Sequence, residues 1–354
     1  AVGAHANLAQ GGPAAQPTPP ARLRCPAGPG SAGGMAPPPA DVSLEVVEAF
    51  LREGIEAMRS EATREALRSL PAGSRPGPKL VELQGPIWER LGVPAERGRA
   101  AVAGAGRLFP DAGEAVAALR EDFARAVDAA YLQGLRDRRP EALERRAKLP
   151  RLAVLEFLEA CCVRLDEPAV RARLRERVEE TGAMPDAVVN AIHDEVMEDL
   201  LGFEKEHGRR CFEALGAKSE FAQDRDVAVC YARWRGKTSS VCLKLLYDHK
   251  QRGGVLNVDD EVQGKLLELQ AKEELDAMSQ EARCEMLQRN AKKVNVFRAL
   301  PSEARRRYLD KLDVREKLDL AKSEILMVTL LEAQQRQPRA GVTAAPRLGG
   351  AQSE

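Results

Sequence analysis

The sequence predicts an all-α protein built from tandem duplicated helical units, and three observations carry that expectation. Hydrophobic residues make up 44% of the chain but aromatics only 4%, so the core has to come from Leu, Val and Ala, and Ala and Leu are the strongest helix formers. Runs of β-branched residues of strand length are nearly absent. One stretch of the chain also repeats another in the same order, the signature of a copied structural unit.

The repeat is read from residue pairs. Val47, Phe50 and Leu51 stand over Val154, Phe157 and Leu158, and the same offset sets Ala62, Arg64, Leu67 and Arg68 over Ala169, Arg171, Leu174 and Arg175. After a slip, Leu91, Gly92, Val93, Glu96, Gly98 and Arg99 stand over Leu201, Gly202, Phe203, Glu206, Gly208 and Arg209. Further on, Val116, Ala117, Phe123, Leu132, Leu135 and Asp137 stand over Val227, Ala228, Trp234, Leu243, Leu246 and Asp248. Matches in one order, with slips falling only in expected loops, are not the chance matches that Ala- and Leu-rich helices produce.

Unit 1, residues 41–139, reads as five helices. Ser43 or Asp41 caps the first, which runs to Arg59, because a short oxygen-bearing side chain satisfies the free N–H groups of a helix start. Val46, Val47, Phe50, Leu51, Ile55 and Met58 form its buried stripe at helical spacing. The second helix starts from Ser60 and stops before Pro71. A Gly/Pro/Ser loop, 72–78, follows. The third helix ends at Gly92, which suits a left-handed closing residue; Pro94 opens the fourth, and the fifth spans Asp111 to Arg138.

Unit 2, residues 140–252, repeats this from Pro150 after a linking helix over 141–148. The corners at Gly92 and Gly98, and at Gly202 and Gly208, are read as structural. A glycine inside a helix costs about 1 kcal/mol against alanine, so its presence in both units points to a close approach of a neighbouring backbone.

Residues 253–334 are helical by period, with Ser279 and Ser302 as N-caps. They read either as a partial third unit lacking its last helix, from the echo of Ala57, Met58, Glu61, Ala62, Glu65 and Leu67 in Ala277, Met278, Glu281, Ala282, Glu285 and Leu287, or as a helical extension that pairs with another chain. The first 40 residues contain no acidic residue and much Pro, Gly and Ala, and the tail 335–354 is polar with Pro and Gly; both read as disordered. Met35, just ahead of the ordered part, reads as the natural start, with a transit peptide as the alternative for the leader.

Basic and acidic residues balance at 54 each, and no segment is a basic block, which lowers a nucleic-acid role. Seven cysteines without a Cys-x-x-Cys pair read as free, mostly buried thiols of a reducing compartment such as the cytoplasm. No apolar run reaches the roughly 18 residues of a membrane span.

No catalytic or metal signature emerges, and no cofactor is expected. Arg235-Gly236-Lys237-Thr238 ends like a phosphate loop, but Tyr231 stands where that loop needs an earlier glycine. Asp248 to Asp259 has the length of a calcium loop, yet Lys250 and Arg252 occupy ligand positions. Glu204-x-x-His207 is a single half of a two-metal site that needs two such pairs. Cys161 and Cys162 point about 100° apart on a helix, and His193, Asp194 and Glu195 are spread in the same way.

The favoured expectation is a non-enzymatic scaffold that lays a protein or peptide helix on an exposed surface of stacked units. Trp88, Phe123, Tyr131 and Trp234 are the candidate partner contacts. RNA or nucleic-acid binding is the alternative, with Arg305, Arg306, Arg307, Lys292 and Lys293 as its basic patch; an enzyme of unassigned class stands third.

Overall fold

The computed structural model describes residues 42–71, 74–213 and 221–336. The leader, Asp41, Ala72 and Gly73 of the expected loop, and the tail after residue 336 lie outside them. The described residues are helical without a strand; the single backbone bridge, between Glu144 and Phe203, is isolated. No described helix is long and apolar enough to cross a membrane. The chain forms two compact units, one up to Gly134 and one from Leu135.

In the first unit, α1 (Leu44–Arg59) begins at Ser43, whose hydroxyl accepts from the Val46 N–H at 3.4 Å. Ser60 both closes α1 and caps α2 (Glu61–Arg68), accepting from the Thr63 N–H at 3.2 Å. The single third helix expected from the sequence is two, α3 (Pro76–Leu83) and α4 (Gly85–Arg90). Pro86 explains the break, since its ring nitrogen has no hydrogen to continue the ladder. Gly92 is left-handed at φ 69°, and α5 (Ala95–Leu108) starts after Pro94, which sits at the N-cap and not inside the first turn. A 3-10 turn (Pro110–Ala112) leads into α6 (Gly113–Arg138).

The second unit continues with α7 (Arg151–Arg164), α8 (Pro168–Thr181), α9 (Asp186–Glu195), a π-helical turn (Val196–Leu200), α10 (Lys205–Glu213) and α11 (Arg225–Gln251). The run of helices over 151–251 resembles that over 44–138, with α9 and its π-helical turn where the first has α3 and α4, and Gly202 is left-handed at φ 73°, as Gly92 is. The paired apolar residues share their burial: Val47, Phe50 and Leu51, like Val154, Phe157 and Leu158, are at most 1% exposed.

The linking helix expected over 141–148 does not form. Glu144 turns its own carboxylate onto the N–H groups of Arg146 and Ala147, at 2.6 and 2.9 Å, and its backbone exchanges hydrogen bonds with Gly202 and Glu204. Those bonds replace the ladder a helix would need.

The corner glycines also differ from expectation in what approaches them. A β-carbon on Gly98 would lie 2.5 Å from the Trp88 ring, and one on Gly208 would lie 2.9 Å from the Met197 side chain. The close neighbour is a side chain in both units, not a backbone.

The remaining helices are α12 (Asp260–Ala277), α13 (Gln280–Ala299), α14 (Ser302–Asp310) and α15 (Val314–Arg336). Asp259 and Ser279 cap α12 and α13, whereas α14 is preceded by Pro301 and Ser302 is its first residue. α15 packs on α12 and α13, much as α11 packs on α7 and α8. Two polar contacts bridge that packing: Lys322 of α15 reaches Glu274 of α12 at 2.8 Å, and Asn290 of α13 donates to the buried Ser323 hydroxyl of α15 at 3.0 Å.

Candidate functional site

Within α7–α11 a chain of aromatic rings runs from the core to the surface. Phe157, 1% exposed on α7, lies 4.6 Å from the ring of Phe212 on α10 and 5.5 Å from the His193 imidazole on α9. Trp234 on α11 meets Phe212 edge-on at 5.6 Å and His193 at 5.3 Å. Tyr231, one turn before Trp234, closes the series at 5.3 Å from the indole and is 41% exposed. Residues three apart share a helix face, which is why Tyr231 and Trp234 stand side by side.

This surrounding is apolar, and burial pushes the His193 pKa down to about 4, because a low-dielectric neighbourhood disfavours the charged imidazolium. His193 is therefore a neutral ring at pH 7 and part of the packing. The Trp234 indole N–H is buried without a hydrogen-bond partner. Next to His193 in sequence, burial also raises the Asp194 pKa, against the opposing pull of Arg209 and Lys205.

The first unit builds its aromatic group differently. Phe50 stacks on Trp88 at 3.6 Å and 10°, and Phe123 approaches Phe50 edge-on at 5.4 Å. Trp88 is 0% exposed and Tyr131 5%; these two candidate contacts lie in the interior, where no partner reaches them. Phe123 is half-buried against the same core, with Gly54 giving it room. Phe123 and Trp234 are both half-buried, and Trp234 is set apart by its contact with the exposed Tyr231.

The basic residues are largely engaged. Arg305 donates to the Leu300 and Arg298 carbonyls and lies over the Phe297 ring. Arg306 pairs with Asp260 at 2.9 Å and Arg307 with Glu303 at 2.6 Å. Lys292 and Lys293 are exposed on α13.

Arg235, Gly236, Lys237 and Thr238 lie inside α11, where Lys237 pairs with Asp166. Arg252 pairs with Glu179 at 2.8 Å.

A cysteine and a histidine do come together: the Cys211 sulfur is 3.6 Å from His207 Nε2. That nitrogen is 2.6 Å from the Ala147 carbonyl oxygen, which has no proton to give, so Nε2 carries one. The thiol faces a donor and not a base, and its own weak bond also goes to the Ala147 carbonyl. The pair secures the 144–147 segment to α10 and lacks the activated nucleophile of thiol catalysis. Among the described residues no group of three or more His, Cys, Asp or Glu is placed to hold a metal. Cys161, Cys162 and Cys242 are buried free thiols, with pKa values raised chiefly by that burial.

The sequence singles out Trp234 but not its companions His193, Phe212 and Tyr231; the spacing of Tyr231 and Trp234 on one helix face is the signal it offers. No family model matches the chain, and neither a curated protein nor a solved structure matches it.

Proposed function

We propose that the chain is a non-enzymatic helical scaffold that binds a protein or peptide partner through Tyr231 and Trp234 on α11. The observation that carries this reading is the aromatic series from Phe157 to Tyr231. In a chain with two tryptophans and four tyrosines, one of each stands together at the surface end of a rigid core. Tyr and Trp are enriched among the residues that dominate binding energy at interfaces, because they offer large area at small entropic cost.

We further propose that α1–α6 and α7–α11 derive from one copied module. The similar run of helices, the left-handed glycine at the same corner and the matched burial of the Val/Phe/Leu triplets support that reading. α12, α13 and α15 then form a shortened third copy that omits the middle helices; the closing helix, which the sequence reading leaves out, is supplied by α15.

The test uses the full chain. Tyr231→Ser and Trp234→Ala are compared with the unaltered protein by affinity capture and by circular dichroism. Both variants should lose a partner that the unaltered chain retains, with helix content unchanged. Retention of every captured protein by both variants overturns the proposal.

A further inference from the structure

The first unit contains a cavity of about 240 Å³ where the corner between α1 and α2 faces α6. Its walls include Met58, Leu67, Ala126, Ala130 and Gly134, all buried, and Arg59 stands at the rim, exposed. The Ser60 and Thr63 hydroxyls that border it are turned away, both donating to the Ala57 carbonyl at 2.7 Å. The half-buried Gln133 and the exposed Arg64, paired with Glu61, also line it, so the interior is apolar in the main and polar at its edge. An apolar cavity of about 150 Å³ is enough to take up benzene, so this one accommodates a somewhat larger molecule.

The second unit explains why the space exists. The register that sets Leu67 over Leu174 sets Met58 over Leu165, Arg59 over Asp166 and Thr63 over Val170. The register that sets Val116 over Val227 sets Ala126 over Lys237, Ala130 over Val241 and Gly134 over Leu245. In the second unit Leu165, Val170, Leu174, Val241 and Leu245 belong to one packed core. Asp166 there is covered by Lys237 and by Arg171, the latter at 3.1 Å. In the first unit Ala130 and Gly134 stand for Val241 and Leu245, with Leu67 packed over Gly134 at 3.0 Å from where a β-carbon would lie, while Thr63 keeps the size of Val170. The acid is replaced by an arginine, and its lysine by an alanine. Arg59 makes no ion pair or hydrogen bond among the described residues.

We infer that this cavity is a binding site for a small organic anion: a carboxylate carrying a short alkyl chain, its head on the Arg59 guanidinium and its tail among Leu67, Ala130 and Gly134. The charge at the mouth selects the head, since guanidinium–carboxylate hydrogen bonds are among the strongest in proteins. The missing side-chain volume selects the tail. None of these residues is shared with Tyr231 and Trp234, so the inference does not depend on the partner-binding reading, although its comparison of registers rests on the copied-module reading.

Octanoate and 1-octanol are the probes, titrated calorimetrically into the full chain and into two variants. Octanoate should bind the unaltered protein. Arg59→Ala should weaken octanoate by about tenfold, the size of a lost charged hydrogen bond, and leave octanol within about twofold. Ala130→Val, which restores the second unit's residue, should weaken both probes by about tenfold or more as the space fills. Arg59 is exposed and its replacement leaves the fold intact, so that arm stands even if Ala130→Val lowers the melting temperature. Absence of octanoate binding at millimolar concentration, or titrations that superimpose across the three proteins, overturns the inference.

Discussion

In α1–α6 the central aromatic is Trp88, sealed against Phe50 and Phe123. In α7–α11 the matching space is shared by Phe157, His193, Phe212 and Trp234, and the group continues outward to Tyr231. The α1–α2 corner shows the opposite contrast, with packed aliphatic side chains in the second unit and a cavity in the first. Similar runs of helices carry a closed aromatic core with a hollow corner, and an aromatic group open to the surface with a filled corner. The two helical stretches thus place their large side chains differently, one around Trp88 and the other from Phe157 out to Tyr231.

The strongest way to break this comparison is to remove the two tryptophans separately. Trp88→Ala should cost about 3–5 kcal/mol, the range for deleting a fully buried large aromatic, read as a loss of denaturation free energy. Trp234→Ala, at a half-buried site, should cost about 1–2 kcal/mol. Equal losses would mean that the two aromatic groups are closed to the same degree.

Acid should act through the second group. His193 binds its proton near pH 4 in the folded chain and near 6.5 in the unfolded one. Between these values the unfolded state holds more protons, so stability rises with pH and falls as pH drops. The loss from pH 7 to 4 should be about 2–3 kcal/mol from this residue. Asp194, with its raised pKa, opposes it at the acid end. His193→Phe should flatten the dependence in acid denaturation curves; an unchanged slope would place the sensitivity elsewhere.

The corner glycines sharpen the comparison further. Gly98→Ala drives a methyl group into a rigid indole and should destabilise by about 1–3 kcal/mol. Gly208→Ala meets a flexible methionine that can move aside, and the helix-propensity gain of about 1 kcal/mol should leave it close to neutral. Thermal melts of the two variants decide the point. The smallest effect is expected for Lys237→Ala: its ion pair with Asp166 is partly exposed and should be worth under about 1 kcal/mol.

Much of this architecture was legible in the sequence. Ser43, Ser60 and Ser279 announced helix starts, Gly92 and Gly202 announced helix ends, and the Val/Phe/Leu triplets marked the buried stripes. The failures have local causes. The 141–148 segment has helical composition, but Glu144 finds a closer partner in its own backbone, and Pro86 splits a helix that periodicity alone would join. The aromatic group around Trp234 was invisible because Phe157, His193, Phe212 and Trp234 come from four helices, and helical period says which residues face inward without saying which meet. The cavity was hidden for a related reason. Small residues at 126, 130 and 134 read as ordinary α6 composition until their counterparts at 237, 241 and 245 were seen packed or paired.

The π-helical turn at Val196–Leu200 changes the geometry of the corner that follows it. In the first unit the Val93 N–H closes on the Trp88 carbonyl, five residues back; in the second the Phe203 N–H closes on the Met197 carbonyl, six back. The second closure holds one residue more than the first, and the π-helical turn accommodates it inside a helix. Each residue turns a helix by about 100°, so excising one from that bulge would not shorten a connection. It would rotate His193 and everything before it relative to the Gly202 corner, and the imidazole would leave its aromatic neighbours.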